Sequence, residues 1–108
     1  MATYRSELPA VFAALSDRTR LAVVERLVSG PASVSELSAS FQMAGPSFLK
    51  HLRVLQEAGL ITSVKKGRVR TVRLAPEPLT WVDEWVRSHR ASLEGRLDRL
   101  GTFLKEEQ

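Results

Sequence analysis

The 108 residues predict a mainly α domain with one small β-hairpin, ordered α-α-α-α-β-β-α. Three observations lead there. Apolar residues recur every three or four positions up to residue 58 and again after 78, the spacing of helices that bury one face. Between 60 and 75 the period drops to two, the spacing of a strand. Helix-breaking pairs or glycines stand at Gly30-Pro31 and Gly59, and Lys66-Gly67 marks a tight turn inside the period-two stretch. The length fits a single domain over 1–108, and 44% hydrophobic residues suffice for a modest core.

The first helix is expected over Ser6 to Leu15, with Leu8, Phe12 and Leu15 inward and Pro9 in the first turn, where a missing N–H is tolerated. Asp17 suits an N-cap for a second helix whose buried stripe is Leu21, Val24, Leu27 and Val28. Ser33 and Glu36 have the spacing of a capping box and open a third helix with Val34, Leu37 and Phe41 inward. After the turn "QMAG" comes "GPSFLKHLRVLQEAGL", residues 45–60. Its stripe is Phe48, Leu52 and Leu55, and Gly59 stops it as a C′ residue. In "LITSVKKGRVRTVRLA", Val69 and Leu74 or Val72 alternate with basic residues, which describes a two-stranded hairpin. From Pro78 a long helix carries Leu79, Val82, Val86, His89, Leu93, Leu97, Leu100 and Leu104. That is a near-heptad row with one stutter between Leu93 and Leu97. Together these elements describe a winged helix-turn-helix. The helix-turn-helix spans about 33–58, the wing about 61–75 and the C-terminal helix about 78–105.

The charge is unevenly placed. Residues 46–75 hold seven basic residues and one acid, Glu57, a local +6, while the rest of the chain is −2. A basic segment on the second helix of a helix-turn-helix and on the adjoining hairpin is the footprint of a surface for a polyanion. The candidates for double-stranded DNA are Gly45, Pro46, Ser47, Lys50, His51 and Arg53 on the helix, and Lys65, Lys66, Arg68 and Arg70 on the hairpin. His51, beside core Leu52, is read either as a packing residue with a polar tip or as a phosphate contact.

Other functions find little support. No cysteine is present, so there is no disulfide, thiolate ligand or thiol nucleophile. The two histidines stand on different helices, and neither a Ser/His/acid arrangement nor a glycine-rich phosphate loop occurs, so no enzyme and no cofactor are expected. No apolar run is long enough to span a membrane and no signal peptide is visible, so a cytoplasmic protein is expected. Trp81 and Trp85, one turn apart, serve core or interface packing or else line a small-molecule pocket.

The segments "ALSDRTRLAVVERL" (14–27), "SVSELSASFQM" (33–43), "KHLRVLQEAGLI" (50–61) and "KKGRVRTVRL" (65–74) resemble the ArsR/SmtB family of bacterial winged-helix repressors. The resemblance covers nearly the whole chain. It implies a symmetric homodimer built by the first and last helices, which binds a palindromic operator and represses transcription. Carried onto this chain, the interface falls on Leu8 and Phe12 and on Trp85, His89, Leu93, Leu97, Leu100 and Leu104. Such repressors usually release DNA when an inducer binds, so a small-molecule inducer stays open.

Three departures from the family pattern bear on function. Many relatives carry serines where Ala44 and Leu49 stand here, which moves base readout toward Gly45, Pro46, Ser47 and Lys50. The "DPTR" of many relatives is "DRTR" at 17–20, a harmless change because Arg18 suits a first helical turn. Metal-sensing relatives have cysteines in the segment that reads "ELSAS" here, at positions held by Ser38 and Ser40. Others use two histidines on the last helix, which here has only His89. Hydroxyls are poor ligands for soft metals, so the expectation is a branch that does not sense metal. The competing reading is a winged-helix protein–protein interaction module that pairs through its long C-terminal helix and never reads DNA.

Overall fold

In the computed structural model, residues 6–106 are described, so the expected domain's first five and last two positions lie outside the described residues. Helices α1 (Leu8–Leu15), α2 (Arg18–Val28), α3 (Val34–Phe41), α4 (Gly45–Glu57) and α5 (Glu77–Glu106) follow the expected order. Strand β1 (Ala32–Ser33) precedes α3, and β2 (Ile61–Lys66) and β3 (Val69–Leu74) form the hairpin. The sheet is antiparallel with order β1-β3-β2, so it has three strands where the sequence predicted two. Two residues are too few to show any period. β1 exists because Ala32 and Ser33 pair with Val72 and Thr71 on the far edge of β3.

Local signals set the helix ends. The Asp17 carboxylate accepts from the Arg20 backbone N–H at 3.0 Å and caps α2. At α3 the capping box is complete: Glu36 N–H donates to the Ser33 hydroxyl at 3.1 Å, and Ser33 N–H to the Glu36 carboxylate at 2.9 Å. The end of α4 is a Schellman motif. Gly59 N–H reaches the Gln56 carbonyl and Leu60 N–H the Leu55 carbonyl, both at 3.0 Å, with Gly59 at φ +79°. The hairpin turn sits one residue later than expected, on Gly67-Arg68 between the paired Lys66 and Val69. Gly67 takes φ +60° and Arg68 stays negative, the pattern of a II′ turn.

One core joins α1, α2, α3, α4 and the root of the sheet. Phe48, Leu37, Leu55, Leu60, Ile61, Val11, Val23 and Val72 are its largest fully buried members. Two helices are rotated relative to the sequence reading. In α2 the buried stripe is Val23, Val24 and Leu27, whereas Leu21 and Val28 are exposed. Arg20 is drawn inward by hydrogen bonds to other helices, and Val23, Val24 and Leu27 continue its side of the helix, so Leu21 turns out. In α1, Val11 and Ala14 join Leu8 in burial, while Phe12 remains 37% exposed at the edge, its ring against Trp85 of α5. Val69 is also exposed, since the outer half of the hairpin extends past the core and has nothing to pack on.

The 30 residues of α5 extend about 45 Å at the α-helical rise. Its first turns bury Pro78 and lay Leu79, Trp81 and Val82 on the core. Farther on, Leu93, Leu97, Leu100 and Leu104 stand 53–57% exposed, which accounts for a molecule 69 Å long and 21 Å thin.

The caps carry the acid sensitivity. The backbone N–H of Arg20 holds the Asp17 carboxyl below its ordinary pKa, and the Ser33 backbone N–H does the same for Glu36. The unfolded chain then binds more protons, so this stability is present above the ordinary carboxylate values and is lost as pH falls through the depressed ones, below about pH 4. Asp17→Asn, which keeps a capping oxygen without the titration, is expected to flatten the loss of stability in urea unfolding across that range. Ser33→Ala is expected to cost about 1 kcal/mol at neutral pH.

Candidate nucleic-acid interface

α4 is set by its buried stripe. Phe48, Leu52 and Leu55 all point into the core, and Phe48 stacks on Phe41 of α3 with centroids 5.8 Å apart. Helical geometry then turns Pro46, Lys50 and Arg53 to the opposite side, with Gly45, Ser47 and Leu49 on the flanks, and all six are exposed. Between α3 and α4 the chain reverses through Gln42, the one non-glycine residue with positive φ (+48°) among the described residues. Ala44 gives the start of α4 no side-chain cap. The first turn therefore presents backbone N–H groups with no local side-chain acceptor, an arrangement that favours an anion.

The wing supplies the second basic element. Lys65, Lys66, Arg68 and Arg70 are exposed, and Lys65 lies directly opposite Arg70 across the β2–β3 ladder. Like charges in that position destabilise a strand pair, and bound anions would relieve the repulsion. Arg70 Nη1 donates across the ladder to Ser63 Oγ of β2 at 3.0 Å, which turns it toward the root of the wing. Between α4 and the wing runs a groove of about 630 Å³, floored by Leu52, Ile61 and Val72 and flanked by Arg53 and Arg70. The structure thus gathers nine of the ten sequence-predicted DNA candidates on one side of α4 or on the wing.

His51 differs from the other nine. It is half-buried, with Nδ1 3.1 Å from Arg20 Nη1 and 3.7 Å from Asp17 Oδ2. A guanidinium can only donate, so with that bond in place Nδ1 is the acceptor and Nε2 carries the proton. The same Arg20 donates from Nε to the Ala14 carbonyl at 2.8 Å and from Nη2 to the Ala13 carbonyl at 3.4 Å. Arg20 therefore closes the C-terminus of α1 and ties it through α2 to α4. Sequence reading missed it, since "DRTR" showed only a cap and a first turn.

The expected interface residues divide. Leu8 is 4% exposed and buried within its own chain, so it offers no surface to a partner, contrary to the expectation. The periodicity had already placed Leu8 inward, and only the family resemblance carried it to the interface. Phe12 and Trp85 meet edge to face at 5.3 Å, and the His89 ring lies 4.6 Å from that of Trp85. The four leucines from Leu93 to Leu104 are exposed as a row, joined by Phe103, which the sequence reading did not include. Ser40 of the "ELSAS" segment donates its hydroxyl to the Glu36 carbonyl, and Asp83 on α5 pairs with Arg87 at 3.0 Å. Among the described residues, no three His, Cys, Asp or Glu side chains come together as a metal group would require.

A helix-turn-helix with its second helix exposed, flanked by a basic wing, defines the class: a winged helix-turn-helix DNA-binding protein. Comparison with known proteins gives the family. Residues 15–64 match the model of a helix-turn-helix domain. The chain is 38% identical over 102 residues to the HTH-type transcriptional regulator Rv2034 of Mycobacterium tuberculosis, covering 94% of this chain and 84% of that protein. It is 33% identical to the transcriptional repressor SdpR of Bacillus subtilis over 54% of this chain and 64% of that one. A crystal structure of an ArsR family transcriptional regulator superposes with TM-score 0.81 at 47% identity, covering 87% of this chain and 97% of that one. The chain belongs to the ArsR family of winged helix-turn-helix transcriptional regulators, a non-enzymatic class. Among the described residues no helix is long and apolar enough to cross a membrane.

Arg20→Met is the direct test of the α1–α2–α4 tie. Losing a charged donor from two helix-end carbonyls and His51 is expected to lower stability by about 2 kcal/mol in urea unfolding, with helix content at zero denaturant unchanged.

Proposed function

We propose that this regulator is a cytoplasmic homodimeric repressor that binds a palindromic operator and does not respond to metal. The observation that carries the reading is the shared exposure of Lys50 and Arg53 on α4 with Lys65, Lys66, Arg68 and Arg70 on the wing, against a single nearby acid, Glu57. In this reading the first turns of α4 enter a major groove, Gly45, Pro46, Ser47 and Lys50 meet base edges, and the wing lies along phosphates. The likeness to SdpR, which is named a repressor, supports the direction of regulation. His51 acts through Arg20 to hold α4 in place.

The dimer follows from the leucine row. Leu93, Leu97, Leu100, Phe103 and Leu104 leave an apolar stripe in water, and a second copy of α5 buries it. Phe12, Trp85 and His89 continue the stripe toward the domain. A two-fold axis there would present two copies of α4 to half-sites about one helical turn apart. An interaction module that ignores DNA would also use this row, but it gives no reason for the like-charged Lys65 and Arg70 pair. Metal indifference rests on Ser38 and Ser40, whose hydroxyls are weak ligands, and on the single histidine of α5.

Selection from random duplexes with the purified protein tests the operator reading. An inverted repeat is expected. Lys50→Ala is expected to relax sequence preference, whereas Arg68→Ala weakens all sequences alike and reduces the salt slope by roughly one unit. Stoichiometric zinc leaves the affinity unchanged. Equal binding of selected and random duplexes at moderate salt overturns the reading.

Leu97→Asp is expected to give monomers by light scattering and to lose operator binding, although Leu97 lies far along α5 from the basic face. Each buried leucine contributes about 1.5–3 kcal/mol, and a two-fold interface loses it twice. A variant that stays dimeric and binds operator normally would place the dimer contact elsewhere.

A further inference from the structure

Leu49 is the fifth residue of α4 and faces solvent at 52% exposure. Its neighbours on the helix surface are Gly45 and Pro46 one turn back and Leu52 and Arg53 one turn on, and they leave about half of it exposed. The same side chain borders three adjoining hollows. One is the groove between α4 and the β2–β3 strands, with Arg53 and Arg70. The second is bordered by Lys65, Arg68 and Val69 of the wing, and the third by Ser35 and Ser38 of α3. A large aliphatic side chain therefore borders all three hollows between α3, α4 and the wing, beside Arg53, Arg70, Lys65 and Arg68. It can neither donate nor accept a hydrogen bond, and about half of it stays open to solvent.

The base edges of a major groove carry one apolar feature, the C5-methyl of thymine; their other groups are donors and acceptors. An exposed leucine between a glycine-proline start and Lys50 matches that feature and no other edge group. We propose that Leu49 is a specificity-determining residue that packs on a thymine methyl and so requires an A·T pair at one fixed step of each half-site. The inference rests on the operator reading and adds to it the identity of one base and the group that reads it. Leu49 leaves polar readout to its neighbour Lys50. It excludes cytosine and guanine by offering their amino and keto groups no partner.

The test substitutes deoxyuridine for thymidine, which deletes the methyl and keeps pairing intact. In a duplex obtained by selection, uridine at the contacted step is expected to weaken the wild-type dimer about fourfold in one half-site and about 15-fold in both, the loss of one methyl-sized burial per contact. Leu49→Ala is expected to bind the thymidine and uridine duplexes equally, and to keep the wild-type melting temperature, since the residue is exposed. Leu49→Met, which retains an apolar contact, is expected to keep methyl sensitivity. A Leu49→Ala variant that still distinguishes the two duplexes overturns the assignment. So does a wild type indifferent to uridine at every thymine, or a selected half-site with no fixed thymine. A wild type that selects no sequence at all overturns the operator reading, and with it this one.

Discussion

Everything on the basic face depends on how α4 is rotated about its axis. Three side chains decide it: Phe48, Leu52 and Leu55 must all enter the core, and only one rotation allows that. Close packing leaves little slack, because a rotation of a few tens of degrees would open a void on one side of the Phe48 ring and force overlap on the other. Lys50, Arg53 and Leu49 thus point outward as a consequence of what their neighbours bury. The Schellman closure at Gly59 adds a second constraint. It delivers Leu60 and Ile61 into the same core and so sets where β2 begins relative to α4.

The wing is built differently. Its root, Ile61 and Val72, is core, but from Val64 outward the hairpin has no hydrophobic support and is held by its ladder and its II′ turn. β1 strengthens that root, because Ser33 both caps α3 and pairs with Thr71. One serine therefore couples the first helix of the helix-turn-helix to the strand that carries Arg70. The repulsion between Lys65 and Arg70 is tolerated in a hairpin that is otherwise short of contacts, a local conflict of the kind expected where a surface is shaped for a partner.

Arg20 joins α1, α2 and α4. Its guanidinium holds the C-terminal carbonyls of α1, the helix whose Phe12 meets Trp85 on α5, and its other branch holds His51 on α4. A hydrogen-bonded path thus runs from the α1–α5 contact to the exposed helix of the helix-turn-helix. Asp17 stands beside it, depressed in pKa chiefly by the Arg20 backbone N–H and further by the Arg20 charge. The side chain and the backbone of one arginine therefore act on the same junction.

The sequence by itself determined the order of the helices and the hairpin, the helix caps and stops, and the location of charge, because these are local matters. A cap acts within three residues, a glycine stop within five, and the switch of period from 3.6 to 2 is visible in a single stretch. Asp17, Ser33, Gly59 and the stripe of α4 were all legible for this reason, as was the concentration of lysine and arginine in residues 46–75. Tertiary structure alone decided which face each of the first two helices buries, since Leu21 and Val23, or Phe12 and Val11, are equally apolar and only their neighbours differ. It also produced β1, whose two residues are a strand only in the presence of β3, and the inward turn of His51, which needs Arg20 from a helix 31 positions earlier. Leu49 shows the same division. Its identity was plain in the chain, but its place on the border of three hollows arises only when α3, α4 and the wing are packed together.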